Sequence, residues 1–131
     1  MREPLATRLH AALKRQIQVR IWGTDIHRSA WIHPSALIDR TNPAGVHIGA
    51  ETRVGEQAVI LTHDFTRNVF RHTVIGARCV LGPRAIIMPG VTIGDDCIIA
   101  PGSLVTHDVP PRSLAIGNPA SVVARDFSDT P

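Results

Sequence analysis

The chain has 131 residues, a single-domain length. Its 14 basic and 11 acidic side chains leave a formal charge of +3, which is mild and lacks the basic stripe interleaved with aromatics that nucleic-acid binding requires. No apolar stretch approaches the roughly 18 residues of a membrane span. The charged N-terminus lacks the apolar core of a secretory leader, and two cysteines are too few for a disulfide framework. The cytoplasm is therefore the expected compartment.

In chain order, Leu5, Leu9, Leu13, Ile17 and Ile21 recur every four residues behind Pro4, and Gly23 ends the run. Residues 1–23 read as an amphipathic helix that caps the open lower end of the stack that follows, with Arg8, Lys14, Arg15 and Arg20 a solvated face. From Ile32 the beat changes. Ile32 and Ile38, then Ile48, Val54 and Ile60, then Ile75, Leu81, Ile87, Ile93, Ile99 and Val105 recur every six residues. Four residues after each of the last six stand Cys79, Ala85, Val91, Cys97, Ser103 and Val109, all small or β-branched.

A period of six fits neither a helix nor an ordinary strand. It fits a solenoid in which each rung is a short strand and a corner, and three rungs close a triangular coil. Large aliphatics fill the interior, and small residues fit where the walls converge. Residues 32–123 form this domain, just under four coils, and residues 124–131 are a tail. Cys79 and Cys97, 18 residues apart, stack inward as a reduced pair. The beat slips twice. Ile38 to Ile48 leaves about four extra residues around Thr41–Gly45. Ile60 to Ile75 leaves about three, or a longer loop replacing part of the wall, within Asp64–Thr73. Insertions in a solenoid gather on its functional face.

The run from Val80 to Val123, VLGPRAIIMPGVTIGDDCIIAPGSLVTHDVPPRSLAIGNPASVV, resembles the hexapeptide-repeat acyltransferases. It is close to the maltose and galactoside O-acetyltransferases and to the sugar acetyltransferases of surface-polysaccharide pathways. The segment Gly117–Ala120 (GNPA) after VPP is that family's terminator. The resemblance covers Ile32–Val123 and implies an all-β solenoid, the left-handed parallel β-helix, with acetyl-CoA as donor, a homotrimer with donor sites between subunits, and no metal. The usual rule for parallel crossovers favours the right hand, so handedness rests on the resemblance alone.

Acyl transfer from a thioester needs a base for the acceptor's proton and donors for the oxyanion. His63, in ILTHDF, sits where the phase breaks and matches the family's catalytic histidine. Asp64 beside it is the expected supporting carboxylate, although a backbone carbonyl is an alternative partner for the ring. His72 closes the same loop and is expected to meet the acceptor, a sugar-like hydroxyl or amine. For the donor, the resemblance points to Gly82, Pro83, Arg84, Pro101, Thr106 and His107. His107 stands where the family commonly has Lys, and Ser121 where a basic residue often follows the PA pair; Arg125 is the compensating candidate. Pro83 and Pro101 occupy positions whose N–H groups in the family meet pantetheine and the thioester, and proline has no N–H. Either the amides of Gly82 or Arg84 take over, or the donor lies differently.

Two rival functions remain. A zinc site of the carbonic-anhydrase-like kind needs three histidines, for which His47, His63 and His72 are available. A non-catalytic trimeric scaffold needs none of this chemistry.

Overall fold

A computed structural model of the chain, describing residues 3–126, turns the six-residue beat into a three-sided column. Its first coil comprises β1 (Asp25–Ile26), β2 (Trp31–Ile32) and β3 (Leu37–Ile38), and its second β4 (Val46–Ile48), β5 (Arg53–Val54) and β6 (Val59–Ile60). A hairpin of β7 (His63–Asp64) and β8 (Val69–Phe70) follows. The third coil is β9 (Thr73–Ile75), β10 (Val80–Leu81) and β11 (Ile86–Ile87), and the fourth β12 (Thr92–Ile93), β13 (Ile98–Ile99) and β14 (Leu104–Val105). A last strand, β15 (Ser113–Gly117), stacks on β13 and turns back antiparallel as β16 (Ala120–Arg125).

Strands β1, β4, β9 and β12 make the first face, β2, β5, β10, β13 and β15 the second, and β3, β6, β11 and β14 the third. Along the coils, equivalent residues pair in parallel register, as in Ile38↔Ile60 and Ile60↔Ile87. The interior is the expected set of aliphatic ladders. Ile60, Ile87, Ile93 and Ile99 are fully buried, and so are Ala58, Cys79, Ala85 and Cys97 at the converging walls. Both cysteines are free. Burial pushes the Cys79 thiol up to about 11, and its Sγ donates to the Gly94 carbonyl at 3.1 Å.

Close stacking leaves no room at some corners. A Cβ on Gly82 would lie 2.6 Å from the Pro101 nitrogen and 2.9 Å from the Ile99 oxygen, both backbone atoms that cannot rotate away. Gly82→Ala is expected to destabilise the column by about 1–3 kcal/mol, the usual cost of overpacking. Chemical denaturation would measure it, and an unchanged midpoint would contradict the packing described. At the corner between the first and second faces, Glu51, Arg78, Asp96 and Arg112 all adopt left-handed φ. They carry alternating charge up the column, with Arg78 Nε 2.8 Å from Asp96 Oδ1. These pairs are exposed, so each adds little.

Three sequence expectations change. First, the column begins one rung early: β1 places Ile26, six residues before Ile32, in the core, so there are four complete coils. Secondly, the fifteen-residue gap from Ile60 to Ile75 contains no lost rung. The chain passes from the third face directly to the first, and the excess over a six-residue step is nine residues, folded as the β7–β8 hairpin. Thirdly, the helix is inverted. It spans Leu5–Arg20, but Leu5, Leu9, Leu13 and Ile21 are 62–74% exposed, while Lys14 and Arg15 face the column.

The reason lies in the polarity of the stack. Along the strands N–H groups are donated upward, as Trp31 does to Thr52 and Leu37 to Ala58, so the lowest coil ends in carbonyls with no coil beneath them. Arg15 donates to Arg28 and Ala30, and Lys14 to Pro34 and Ala36. A carbonyl rim needs donors more than it needs apolar cover. At the other end, the expected tail is part of β16 as far as Arg125. Residues 127–131 lie outside the described residues.

Candidate active site

Both insertions leave from one corner of the column, between the third and first faces. The smaller, Thr41–Gly45, contains a 3₁₀ turn at Pro43–Gly45. The larger is the hairpin. They are tied together, since Thr62 Oγ1 donates to the Asn42 carbonyl at 2.7 Å. The hairpin is closed at its base, where Arg71 N–H donates to the Thr62 carbonyl at 2.9 Å and Thr73 Oγ1 to the Leu61 carbonyl at 2.6 Å.

Asp39 is the pin of this corner, and sequence reasoning missed it. Its carboxylate is 5% exposed and accepts four backbone N–H groups. Oδ1 takes those of Thr41 (2.7 Å) and Asn42 (3.2 Å), and Oδ2 takes those of Thr62 and His63, both at 2.9 Å. Burial pushes this carboxyl up, but the N–H groups of Thr62, Thr41, Asn42 and His63 together outweigh it, and the net displacement is below the ordinary Asp value.

His63 begins the hairpin with its ring half-buried. Phe70, its cross-strand partner, stacks on it with ring centroids 4.4 Å apart. Nε2 lies 3.3 Å from Asn68 Oδ1. With that oxygen accepting, Nε2 carries the proton and Nδ1 holds the lone pair. Neither Asn68 nor Phe70 was legible as a site residue, although Asn68 has the left-handed φ expected of a turn asparagine.

Asp64 does not contact the His63 ring through any of its hydrogen bonds. Its Oδ1 accepts the N–H groups of Thr66 and Arg67, and its Oδ2 accepts Arg67 Nε at 2.8 Å. The Arg67 side chain beside it, followed by the Arg67 amide, holds this carboxyl below the usual range. The expected supporting carboxylate thus fixes the hairpin turn instead. Adjacent residues on a strand point apart, which carries Asp64 away from its neighbour's ring.

His72 is exposed beside the hairpin base, and its Nδ1 lies 2.7 Å from His47 Nε2. Two of the three histidines proposed for zinc are therefore in contact. Among the described residues, however, no group of three or more His, Cys, Asp or Glu side chains has metal-holding geometry.

Six of the seven expected donor-binding residues fall on two corners. Gly82, Pro83, Arg84 and Pro101 stand between the second and third faces, stacked so that Gly102 N–H donates to the Pro83 carbonyl at 2.9 Å. Thr106 and His107 follow β14 at the corner that carries His63, with Thr106 Oγ1 2.9 Å from His107 Nδ1. Arg125 is exposed on β16, opposite Ser113. The third face separates the two groups. The amides of Gly82 and Arg84 cannot replace those missing at the prolines. The first donates to Ile99 at 2.8 Å and the second to Glu56 at 2.9 Å, because register stacking spends both within the column. Beside this corner opens a groove of about 240 Å³ lined by Trp31, His33, Arg53, Glu56 and Pro83.

Such a column, with an imidazole on a hairpin at one corner, defines a class. The family model described as bacterial transferase hexapeptide (six repeats) matches residues 72–107. Residues 72–107 thus carry that hexapeptide repeat, and the fold is a left-handed β-helix with an N-terminal helix. Serine acetyltransferase 2 of Arabidopsis thaliana is 36% identical over 121 residues, 88% of this chain and 36% of that protein. In fold, the chain resembles a hexapeptide-repeat acetyltransferase of Vibrio cholerae (TM-score 0.65, 22% identity, 90% of this chain and 82% of that one). It also resembles a maltose O-acetyltransferase of Clostridium difficile 630 (TM-score 0.64, 21% identity, 93% and 83%). The Vibrio protein has also been crystallised with acetyl-CoA. The chain spans 29% to 40% of the length of the curated relatives it matches. No helix among the described residues is long and apolar enough to cross a membrane.

Proposed function

We propose that the protein transfers an acetyl group from acetyl-CoA to a hydroxyl or amine of a small sugar-like acceptor, with His63 as general base. The observation that carries this reading is the placement of His63: an imidazole with a free Nδ1, on the insertion of a hexapeptide-repeat column, its backbone pinned by Asp39 and its ring by Asn68 and Phe70. As the acceptor oxygen or nitrogen attacks the thioester carbonyl, His63 takes its proton. Collapse of the tetrahedral intermediate then expels the CoA thiolate, which regains a proton. His72 and the hairpin meet the acceptor. The donor runs past Thr106 and His107, and the prolines require it to find its oxyanion donors elsewhere than at Gly82 and Arg84.

One chain leaves His63 and the Gly82–Pro101 corner apart, which supports a donor site between subunits. The outward row of the third face supports the same arrangement, because Leu37, Val59, Ile86 and Leu104 offer an aliphatic wall for a neighbouring copy. A homotrimer is expected by light scattering at micromolar concentration, and a monomer would contradict it. The activity is tested by following thiol release from acetyl-CoA against a panel of free and nucleotide-linked sugars, amino sugars and L-serine.

The reading as a non-catalytic scaffold has one observation in its favour, the loss of amide donors at Pro83 and Pro101. Absence of both heat and thermal shift with acetyl-CoA would favour that scaffold over the enzyme.

A further inference from the structure

Outside the His63 hairpin, the outer side of the first face carries three polar side chains in successive coils. Asp25 and His47 are register partners on β1 and β4, and His72 precedes β9, whose Val74 pairs with His47. Asp25 Oδ2 lies 2.8 Å from His47 Nδ1, and His47 Nε2 lies 2.7 Å from His72 Nδ1. The two imidazoles meet edge to edge, with centroids 5.0 Å apart and planes 15° from parallel.

With both rings neutral, these contacts fix proton positions. A carboxylate can only accept, so His47 Nδ1 carries the hydrogen and, in the neutral ring, Nε2 holds a lone pair. That lone pair accepts from His72, whose Nδ1 must therefore be protonated and whose Nε2 is bare. An isolated exposed histidine has no such constraint. Here the carboxylate sets one ring and that ring sets the next, as outer-shell groups do for functional imidazoles. The chain ends beside the hairpin base, where residues 71–73 are bonded to residues 61–62.

We propose that Asp25 and His47 are positioning residues that hold His72 as a hydrogen-bond acceptor, so that its Nε2 receives an O–H or N–H of the acceptor next to the group whose proton His63 takes. The inference rests on the acyl-transfer reading for the identity of that group, but the relay itself does not. It also gives the site a preference: a neutral hydroxyl or an ammonium suits a bare Nε2, and a carboxylate does not.

The test uses the full chain with ¹⁵N-labelled histidine. Long-range proton–nitrogen correlation spectra of the wild type should show His72 protonated at Nδ1 and bare at Nε2. His47→Phe keeps an aromatic ring but removes both nitrogens, and Asp25→Ala frees His47; each should release His72 to the mixed tautomers of a solvated imidazole. Asp25→Asn retains an accepting oxygen and should preserve the wild-type pattern. With maltose or L-serine at saturating acetyl-CoA, His47→Phe should raise the acceptor KM roughly 2- to 10-fold, the scale of one hydrogen bond, and leave the donor KM unchanged. A wild-type His72 protonated at Nε2, or a tautomer indifferent to His47→Phe, would overturn the proposal. The expected tautomers without transfer by the wild type would uphold the relay and count against acyl transfer alone.

Discussion

His63→Ala is expected to lower kcat about 10²–10⁴-fold, the range that a positioned general base supplies. The variant should otherwise be intact. The ring is half-buried, its hydrogen bond and its aromatic contact are both made within the hairpin, to Asn68 and Phe70, and it is not part of the aliphatic ladders. The backbone N–H that Asp39 holds is still present in alanine. Acetyl-CoA binding, assembly and thermal midpoint should therefore stay near wild type while turnover falls. Asn68→Ala would be a milder version of the same lesion, because it leaves the base but frees its ring. Near-wild-type turnover in His63→Ala, measured with the acceptor that gives the highest wild-type rate, would remove this residue from the mechanism.

The column itself was readable because its signal is local and repetitive. Each of Ile75, Leu81, Ile87, Ile93, Ile99 and Val105 reports the same burial, so the period survives any single ambiguity. The insertion on which His63 stands was readable for a related reason, since a break in a strict period marks a place where the wall is interrupted. The relay was not readable. Asp25 and His47 are 22 residues apart, and His47 and His72 are 25 apart, whereas a bare coil advances by 18. Removing the four-residue insertion restores 18 for the first pair, and removing the nine-residue one leaves 16 for the second, because His72 stands two residues before Val74, the register partner of His47.

The helix and the first rung failed for different physical reasons. Leu13, Ile17 and Ile21 continue a four-residue spacing almost into Ile26, so the change of period was placed one rung late. A four-residue apolar stripe predicts a buried face because apolar surface usually drives docking. At the end of a solenoid the stronger demand comes from carbonyl groups with no coil beneath them, and Lys14 and Arg15 answer it. Asp39 was overlooked because a buried carboxylate is costly and nothing in the sequence shows four amides converging on it.

Asp39→Ala is accordingly expected to be the most damaging polar substitution at this corner, costing about 2–4 kcal/mol of stability. The estimate follows from leaving amide groups of a buried corner without an acceptor, at about 1–3 kcal/mol for each one that water cannot reach. Asp39→Asn should fall between. Thr41 and Asn42 donate to one carboxylate oxygen and Thr62 and His63 to the other, so an amide can serve one pair but presents an NH₂ to the second. Both variants should also lose turnover beyond their loss of stability, since the His63 backbone is one of the four donors. The wild type carries the same dependence on pH. Asp39 is held below the ordinary Asp value in the folded state, so its contribution is complete at neutral pH. That contribution declines as pH falls below about 4 and the folded carboxylate takes up its proton. Denaturant titrations at pH 7 and at pH 3, at matched protein concentration, should show the gap between wild type and Asp39→Ala narrowing at the lower pH. A gap that stays constant or widens would mean that the carboxylate charge does not hold the corner.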